Sequence, residues 1–322
     1  MLRIAVIGFY YGVFPDWMPY WLRSCADNET IDFFLVTDIG IGNVPGNVRV
    51  IEMSLQEVKQ RAEAKLGMEV FLQQPYKLCD FKPVYGVIMD DYLKEYDYWG
   101  HCDFDLIWGD IRRFAEMYHL KEYDKFLPLG HLALYRNTDK CNNYFRLDGS
   151  RCGDYKAVLT QNENFAFDET DGIYSIYEHN GLPMFTKRIF AEIKTFHKRF
   201  RLKACDRNYK HQVFYYEDGK LYRAYEKNGR ILAEEFIYMH FRRKLPANAE
   251  IDWKTIKAFY ITPDGFVEKR RGMPALDEIE MYNHNSGWIV ELWETVKFCS
   301  RNISKIKSKV ENEFLALKQN RG

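Results

Sequence analysis

Asp103 and Asp105 stand two residues apart in the stretch Trp99-Gly-His-Cys-Asp-Phe-Asp-Leu-Ile-Trp-Gly-Asp110, directly after an aromatic, strand-like run from Tyr96 to Cys102. Side chains at i and i+2 on an extended chain lie on one side. Where such a strand opens into a loop, both carboxylates can converge on one hard divalent cation. A cation with open positions can in turn hold a diphosphate. The competing reading is a pair of solvated or turn-forming acids, because the D-x-D triplet is common by chance. The setting favours the cation. Trp99 and Trp108 flank the pair, and a carboxylate in apolar surroundings needs a partner because an unpaired buried charge is costly.

Other residues could complete such a site. Asp168 and Glu169 follow two aromatics in Phe165-Ala-Phe-Asp-Glu169, where one could act as a base at a cleft. The alternative is that they are helix-start acids interacting with the helix dipole. His240 lies on a strand-like run from Glu234 to Lys244, sharing a face with Phe236 and Tyr238. It could reach a metal held by Asp103 and Asp105, or serve as a hydrogen-bonded core histidine. Lys77, Asp80 and Lys82 sit in Pro75-Tyr-Lys-Leu-Cys-Asp-Phe-Lys-Pro83. That segment precedes a helix expected over Lys82 to Leu93, and could line a phosphate or sugar pocket or be a solvated connection.

The elements that must position these groups read as an α/β chain. Arg3 to Gly8 is a β-branched apolar run and a buried strand. Gly8-Phe-Tyr-Tyr-Gly12 follows as a loop suited to a nucleotide, since ligands gather at the C-terminal ends of strands in open α/β sheets. It is not a G-x-G-x-x-G match, so Rossmann dinucleotide binding is unsupported. Asp16 to Ala26 reads as a helix. Asp32 to Asp38 reads as a second strand, whose Thr37 and Asp38 could hold a base or ribose or act as turn residues. Val48 to Met53 is a third strand. Ser54-Leu-Gln-Glu57 is a capping box opening a helix to about Leu66. This order implies a mainly parallel sheet. Further on come a strand with Gly130 and His131 at its entry, a hairpin turning at Asp218-Gly219, and a strand from Trp253 to Ile261. From Trp288, residues Ile289, Leu292, Trp293, Val296, Ile303, Ile306, Val310 and Phe314 fall at helical spacing. Lys297, Arg301, Lys305, Lys307 and Lys309 lie among them. A basic amphipathic helix of this kind suits an anionic membrane surface or packs on its own domain.

Composition bounds the function. The 322 residues suffice for one large domain or two modest ones, and 47% apolar content supports a substantial core. The 23 Tyr and 23 Phe suit aromatic-lined clefts for sugars or bases, or a plain aromatic core. Zero formal net charge argues against general nucleic-acid binding. The seven cysteines are odd in number and include no C-x-x-C pair, which points to reduced thiols and a cytoplasmic setting. The apolar run after Met1 is too short for a signal-peptide core or a membrane span.

As an ordered set, several blocks resemble a family of bacterial GT-A-like glycosyltransferases from polysaccharide (capsule or O-antigen) gene clusters. They are Ser24-Cys25, Asn28, Thr37-Asp38, Pro75 to Pro83, Trp99 to Asp105, Gly130 to Asn137, Phe167 to Glu169 and Glu235 to Phe241. The resemblance covers roughly residues 1 to 245. It departs at Gly8-Phe9, where the family has a proline-containing turn. It implies a GT-A-like nucleotide-sugar-binding sandwich with a mixed, mainly parallel central sheet, to which the C-terminal amphipathic helix is added. The catalytic domain would span 1–245, with a donor half of about 1–137 and an acceptor half of about 138–245. Closing strands and loops would take 246–287 and the basic tail 288–322. The resemblance further implies Mn²⁺ or Mg²⁺ on Asp103 and Asp105, with His240 as a further ligand, and a base at Asp168 or Glu169. Gly8, Tyr10, Gly12 and Asp38 would face the nucleotide, and Lys77, Asp80 and Lys82 the sugar or phosphates, with His131 as a further cofactor-binding residue. The expected partners are a nucleotide-sugar donor, UDP-linked in type, and a glycan or lipid-linked acceptor. The expected location is cytoplasmic, peripheral on the inner face of the cell membrane if the tail, which the resemblance does not cover, binds lipid rather than its own domain. Two other readings keep the same aspartates: a metal-dependent hydrolase or nucleotidyltransferase, and a non-catalytic membrane-associated scaffold.

Overall fold

The structure is a computed structural model that describes residues 1–194, 199–203, 208–242, 244–282 and 296. The expected basic amphipathic helix from Trp288 therefore lies outside the described residues, apart from Val296.

Three strands open the chain, β1 (Ile4–Phe9), β2 (Ile31–Thr37) and β3 (Val48–Glu52). Next come β4 (Tyr98–Cys102) and β5 (Leu106–Trp108), then β6 (Lys125–Phe126), β7 (Leu132–Arg136) and β8 (Met184–Phe185). All but β5 form one sheet in the order β3-β2-β1-β4-β7-β6-β8. It is mixed and mainly parallel, as expected: only β7 runs antiparallel to its neighbours β4 and β6. Both faces are covered, which is why the first strands read as continuous apolar runs rather than alternating ones. Ala5 and Ile7 of β1 pack with helix Leu55–Leu66 and the turns around Phe81 to Leu93. Ile4 and Val6 pack on the other side with helix Met18–Ala26 and Trp108. Helix Leu55–Leu66 starts at the predicted capping box, with the Ser54 side chain accepting from the Glu57 backbone and Glu57 returning to Ser54.

The second half of the chain adds β9 (Ala191–Glu192), β10 (Gln212–Glu217), β11 (Lys220–Lys227), β12 (Arg230–Phe236), β13 (Tyr238–His240), β14 (Ala258–Thr262) and β15 (Gly265–Glu268). An antiparallel sheet runs β12-β11-β10-β14-β15, and a small third sheet runs β5-β13-β9. The hairpin turns at Asp218 and Gly219, both at positive φ (48° and 78°), as an Asp-Gly two-residue turn requires.

Two expectations need correction. Lys82 to Leu93 is not one helix. It is a 3₁₀ turn over Lys82–Val84 and two short helices, Tyr85–Ile88 and Asp90–Leu93. Pro83 lacks a backbone N–H and interrupts the helical ladder. Nor is Glu234 to Lys244 one strand. It breaks at Ile237, leaving Phe236 in the antiparallel sheet and sending Tyr238–His240 to the small sheet. That switch is what carries His240 to the aspartates. Among the described residues no helix is long and apolar enough to cross a membrane.

Candidate active site

The strand-to-loop exit at Asp103 is set by backbone pairing. Cys102, the last residue of β4, pairs with Leu132, and the Asp103 N–H donates to the His131 carbonyl at 3.1 Å. The chain then leaves the main sheet. Phe104 folds back over β1, and a Cβ on Gly8 would come within 2.6 Å of its ring. Two residues later β5 pairs antiparallel with β13, placing Leu106 opposite His240, while the Phe241 N–H donates to the Asp105 carbonyl at 3.2 Å. Two short strands thus bring Asp105 and His240 together, and His240 Nε2 lies 3.2 Å from Asp105 Oδ2. Ligand atoms of Asp103, Asp105 and His240 all fall within 4.8 Å of one another.

A lysine already binds one of the two aspartates and reaches Asp168 as well. Lys82 Nζ donates to Asp103 Oδ1 at 2.6 Å, to Asp168 Oδ2 at 2.7 Å and to the Gly130 carbonyl at 2.9 Å. Burial works against the Lys82 ammonium, but Asp103 and Asp168 outweigh it and hold it well above the ordinary lysine range. Burial raises the Asp168 carboxyl to about 6, with Lys82 pulling the other way and Glu169 adding to the rise. Asp105 is lowered, because the contact with His240 overcomes its own burial. Gly130 admits this arrangement because any Cβ there would run into the Asp168 carboxylate.

These groups face a cavity of about 520 Å³. Its lining includes Asp103, Asp105, Lys82, Asp168 and Glu169, with Lys82 joining Asp103 to Asp168. Phe9, Tyr10, Tyr76 and Tyr85 add aromatic surface. Trp17 closes the rim, its Nε1 donating to the Phe104 carbonyl at 2.9 Å. Two carboxylates and one imidazole at the edge of such a space are a donor set suited to a hard or borderline divalent ion such as Mn²⁺ or Mg²⁺.

The structure therefore brings together Asp103, Asp105, His240, Lys82, Tyr10, Asp168 and Glu169. It separates others. Lys77 and Asp80 are corrected: both side chains are fully buried as an ion pair at 2.8 Å, away from the cavity wall. Lys77 also donates to the Val158 and Glu163 carbonyls, and Asp80 accepts from the backbone of Phe165 and Phe167. They clamp the loop that delivers Asp168 and Glu169 and do not line a donor pocket. Gly8 is corrected too, lying within β1 as a packing position for Phe104. Gly12 and Asp38 are exposed and do not line the cavity. His131 is buried behind the wall, with Nδ1 sharing a hydrogen bond with the Tyr238 hydroxyl at 2.6 Å. It does not face a bound sugar.

Sequence reasoning missed Glu192, Tyr238 and Lys125. Glu192 sits on a two-residue strand with no motif around it. Lys125 is fully buried on β6, with Nζ donating to the Leu127 carbonyl. A lysine in an apolar run (Lys125-Phe-Leu-Pro-Leu) was the available signal. Burial pushes the Lys125 ammonium down to about 7, against the pull of Glu169 and Asp168. In the unfolded chain it titrates near the ordinary value of about 10.4. Between those values the unfolded chain binds the extra proton, so stability rises with pH across that window. Lys125→Met should therefore be more stable than the wild type at neutral pH, on the order of 1–3 kcal/mol. Its advantage should shrink as pH rises through the window. Thermal melts across that range check this, and a constant advantage would contradict it.

Among solved structures the chain is similar to mouse xyloside xylosyltransferase 1 in its apo form, at 9% identity and a TM-score of 0.36, covering 59% of this chain and 88% of that one. It is also similar to the galactosyltransferase LgtC in complex with donor and acceptor sugar analogues, at 13% identity and a TM-score of 0.29, covering 58% and 75%. A third is the glycosyltransferase GlyE of Streptococcus pneumoniae TIGR4, at 13% identity and a TM-score of 0.30, covering 58% and 45%. No curated protein matches the sequence. Residues 6–270 match the family described as a family of unknown function (DUF6625), and the chain belongs to that family.

Proposed function

We propose that the protein is a metal-dependent glycosyltransferase that moves a sugar from a nucleotide-sugar donor, UDP-linked in type, to a glycan or lipid-linked glycan acceptor in surface polysaccharide synthesis. The observation that carries this reading is the grouping of Asp103, Asp105 and His240 at a cavity that Asp103, Asp105, Asp168 and Glu169 line together. Asp103, Asp105 and His240 would hold Mn²⁺ or Mg²⁺, which neutralises the charge that builds on a departing diphosphate.

The protein's own groups have separable tasks. Lys82 fixes the Asp103 carboxylate through one oxygen and Asp168 through another contact. Glu169 is half-buried at the cavity wall, and we assign it the proton of the attacking hydroxyl. General-base help of this kind contributes typically ~10²–10⁴-fold. Asp168 orients Lys82, because its Oδ2 is already engaged. Phe9, Tyr10 and Tyr85 offer faces for a base or sugar ring, and the aromatic walls exclude water that would otherwise hydrolyse the donor. If configuration is retained, Glu169 orients the acceptor instead of taking its proton.

A product assay over a panel of nucleotide sugars tests the reading. With Mn²⁺ and a mixed glycan acceptor pool, one donor should release nucleoside diphosphate, with its sugar recovered on an acceptor. Rapid release of nucleoside monophosphate without an acceptor would instead identify a hydrolase. No turnover or binding across the panel would identify a scaffold.

A further inference from the structure

Behind the cavity wall, three buried side chains leave ligand atoms unpaired around one point. His131 is 2% exposed, Glu192 5% and His240 8%. Their ligand atoms lie within 4.8 Å of one another. Register explains the grouping: β13 pairs with β9 so that His240 lies beside Glu192, and His131 precedes β7 across from Asp103. The two imidazole rings lie 4.3 Å apart between centroids.

Each residue has one polar atom engaged and one left over. His131 Nδ1 is taken by the Tyr238 hydroxyl at 2.6 Å, and Nε2 has no hydrogen-bond partner. His240 Nε2 faces Asp105, and Nδ1 has no partner. Glu192 Oε1 accepts from Lys203 and Arg242, each at 3.0 Å. Its Oε2 has no hydrogen bond and keeps an ion pair with the half-exposed Arg188 at 3.6 Å. Buried polar atoms are nearly always paired, and each one left over is costly. One ion among these three grouped residues would account for all three atoms together.

We propose that His131 Nε2, His240 Nδ1 and Glu192 Oε2 form a second, inner site for a divalent ion of the Zn²⁺ class. Two imidazole nitrogens and one carboxylate oxygen are a ligand set typical of zinc, whereas the oxygen-rich outer pair suits Mn²⁺ or Mg²⁺. The surroundings supply the outer contacts that such ligands use. The Tyr238 hydroxyl fixes the His131 ring, Lys203 and Arg242 anchor the far oxygen of Glu192, and Asp105 accepts from His240 Nε2–H. A neutral imidazole has one free lone pair, so His240 serves one site at a time. An ion at the inner site turns its Nε2–H toward Asp105 and removes it from the outer ligand set.

The test is metal retention and does not depend on nucleotide binding or turnover. Full-length protein is stripped with chelator, incubated with Zn²⁺, desalted, and assayed for bound zinc by mass spectrometry, with the visible spectrum of the Co²⁺ form reporting imidazole ligation. The wild type and Asp103→Asn should each retain one equivalent. His131→Ala and the near-isosteric Glu192→Gln should bind Zn²⁺ at least tenfold more weakly, with circular dichroism confirming that they fold. Failure of the wild type to retain zinc overturns the proposal without reference to any variant. Retention unchanged in folded Glu192→Gln, or lost only in Asp103→Asn, overturns it as well.

Discussion

Asp105→Asn should fold as the wild type does and lose metal-dependent binding of a nucleoside diphosphate by on the order of 100-fold, equivalent to about 2.7 kcal/mol. The side chain is 30% exposed and its recorded partner is His240, so replacing a carboxylate by its near-isosteric amide disturbs little packing. What changes is charge. Asp105 is one of two carboxylates in the group of three potential ligands, and a neutral amide oxygen is a far weaker ligand for a hard cation. A diphosphate that depends on that cation should weaken in step. Calorimetric titration with UDP in the presence of Mn²⁺ checks this against a denaturant curve for the same variant. Unchanged affinity would show that Asp105 does not hold the ion.

Lys82→Met should carry the largest stability effect in the site, about 3–5 kcal/mol, the usual result of removing one partner from a buried ionic group. Lys82 is 5% exposed and joins two carboxylates. Asp168 is 4% exposed and depends on it most, whereas Asp103 can turn toward solvent. The loss should therefore be local to one pair. Adding Asp168→Asn to Lys82→Met should recover much of the stability, because an amide tolerates burial without a cation. Urea midpoints for the two single variants and the double variant give the coupling energy. Simple additivity of the two single losses would show that the Lys82–Asp168 contact has no energetic weight.

The parts of this arrangement that follow from local chemistry were legible in the sequence. Continuous apolar strands, the Ser54–Glu57 box and the Asp218-Gly219 turn act over a few residues, and each forms where its chemistry dictates. The i, i+2 spacing of Asp103 and Asp105, placed at a strand exit, also marked one wall of the cavity. What depended on tertiary position was misread. Lys77 and Asp80 carry the charges of a phosphate pocket, but besides each other their partners are backbone groups more than eighty positions away. Nothing local distinguishes a buried clamp from a binding loop. The switch at Ile237 hides in the same way. Phe236 to Phe241 reads as one continuous strand-like run, and only the competition between two sheets for its halves divides it. Glu192 offered no local signal, and its meaning comes from the register that sets it beside His240.

The central claim is that Asp103, Asp105 and His240 hold a divalent ion that in turn holds a nucleotide diphosphate. Anomalous diffraction from crystals grown with Mn²⁺ and UDP tests it most directly. The account predicts a manganese peak in contact with both carboxylates and His240 Nε2, with the diphosphate oxygens completing its shell and the nucleoside lying along Phe9 and Tyr10. UDP bound in the cavity with no manganese at the aspartates, or manganese at the aspartates with UDP elsewhere, would contradict it.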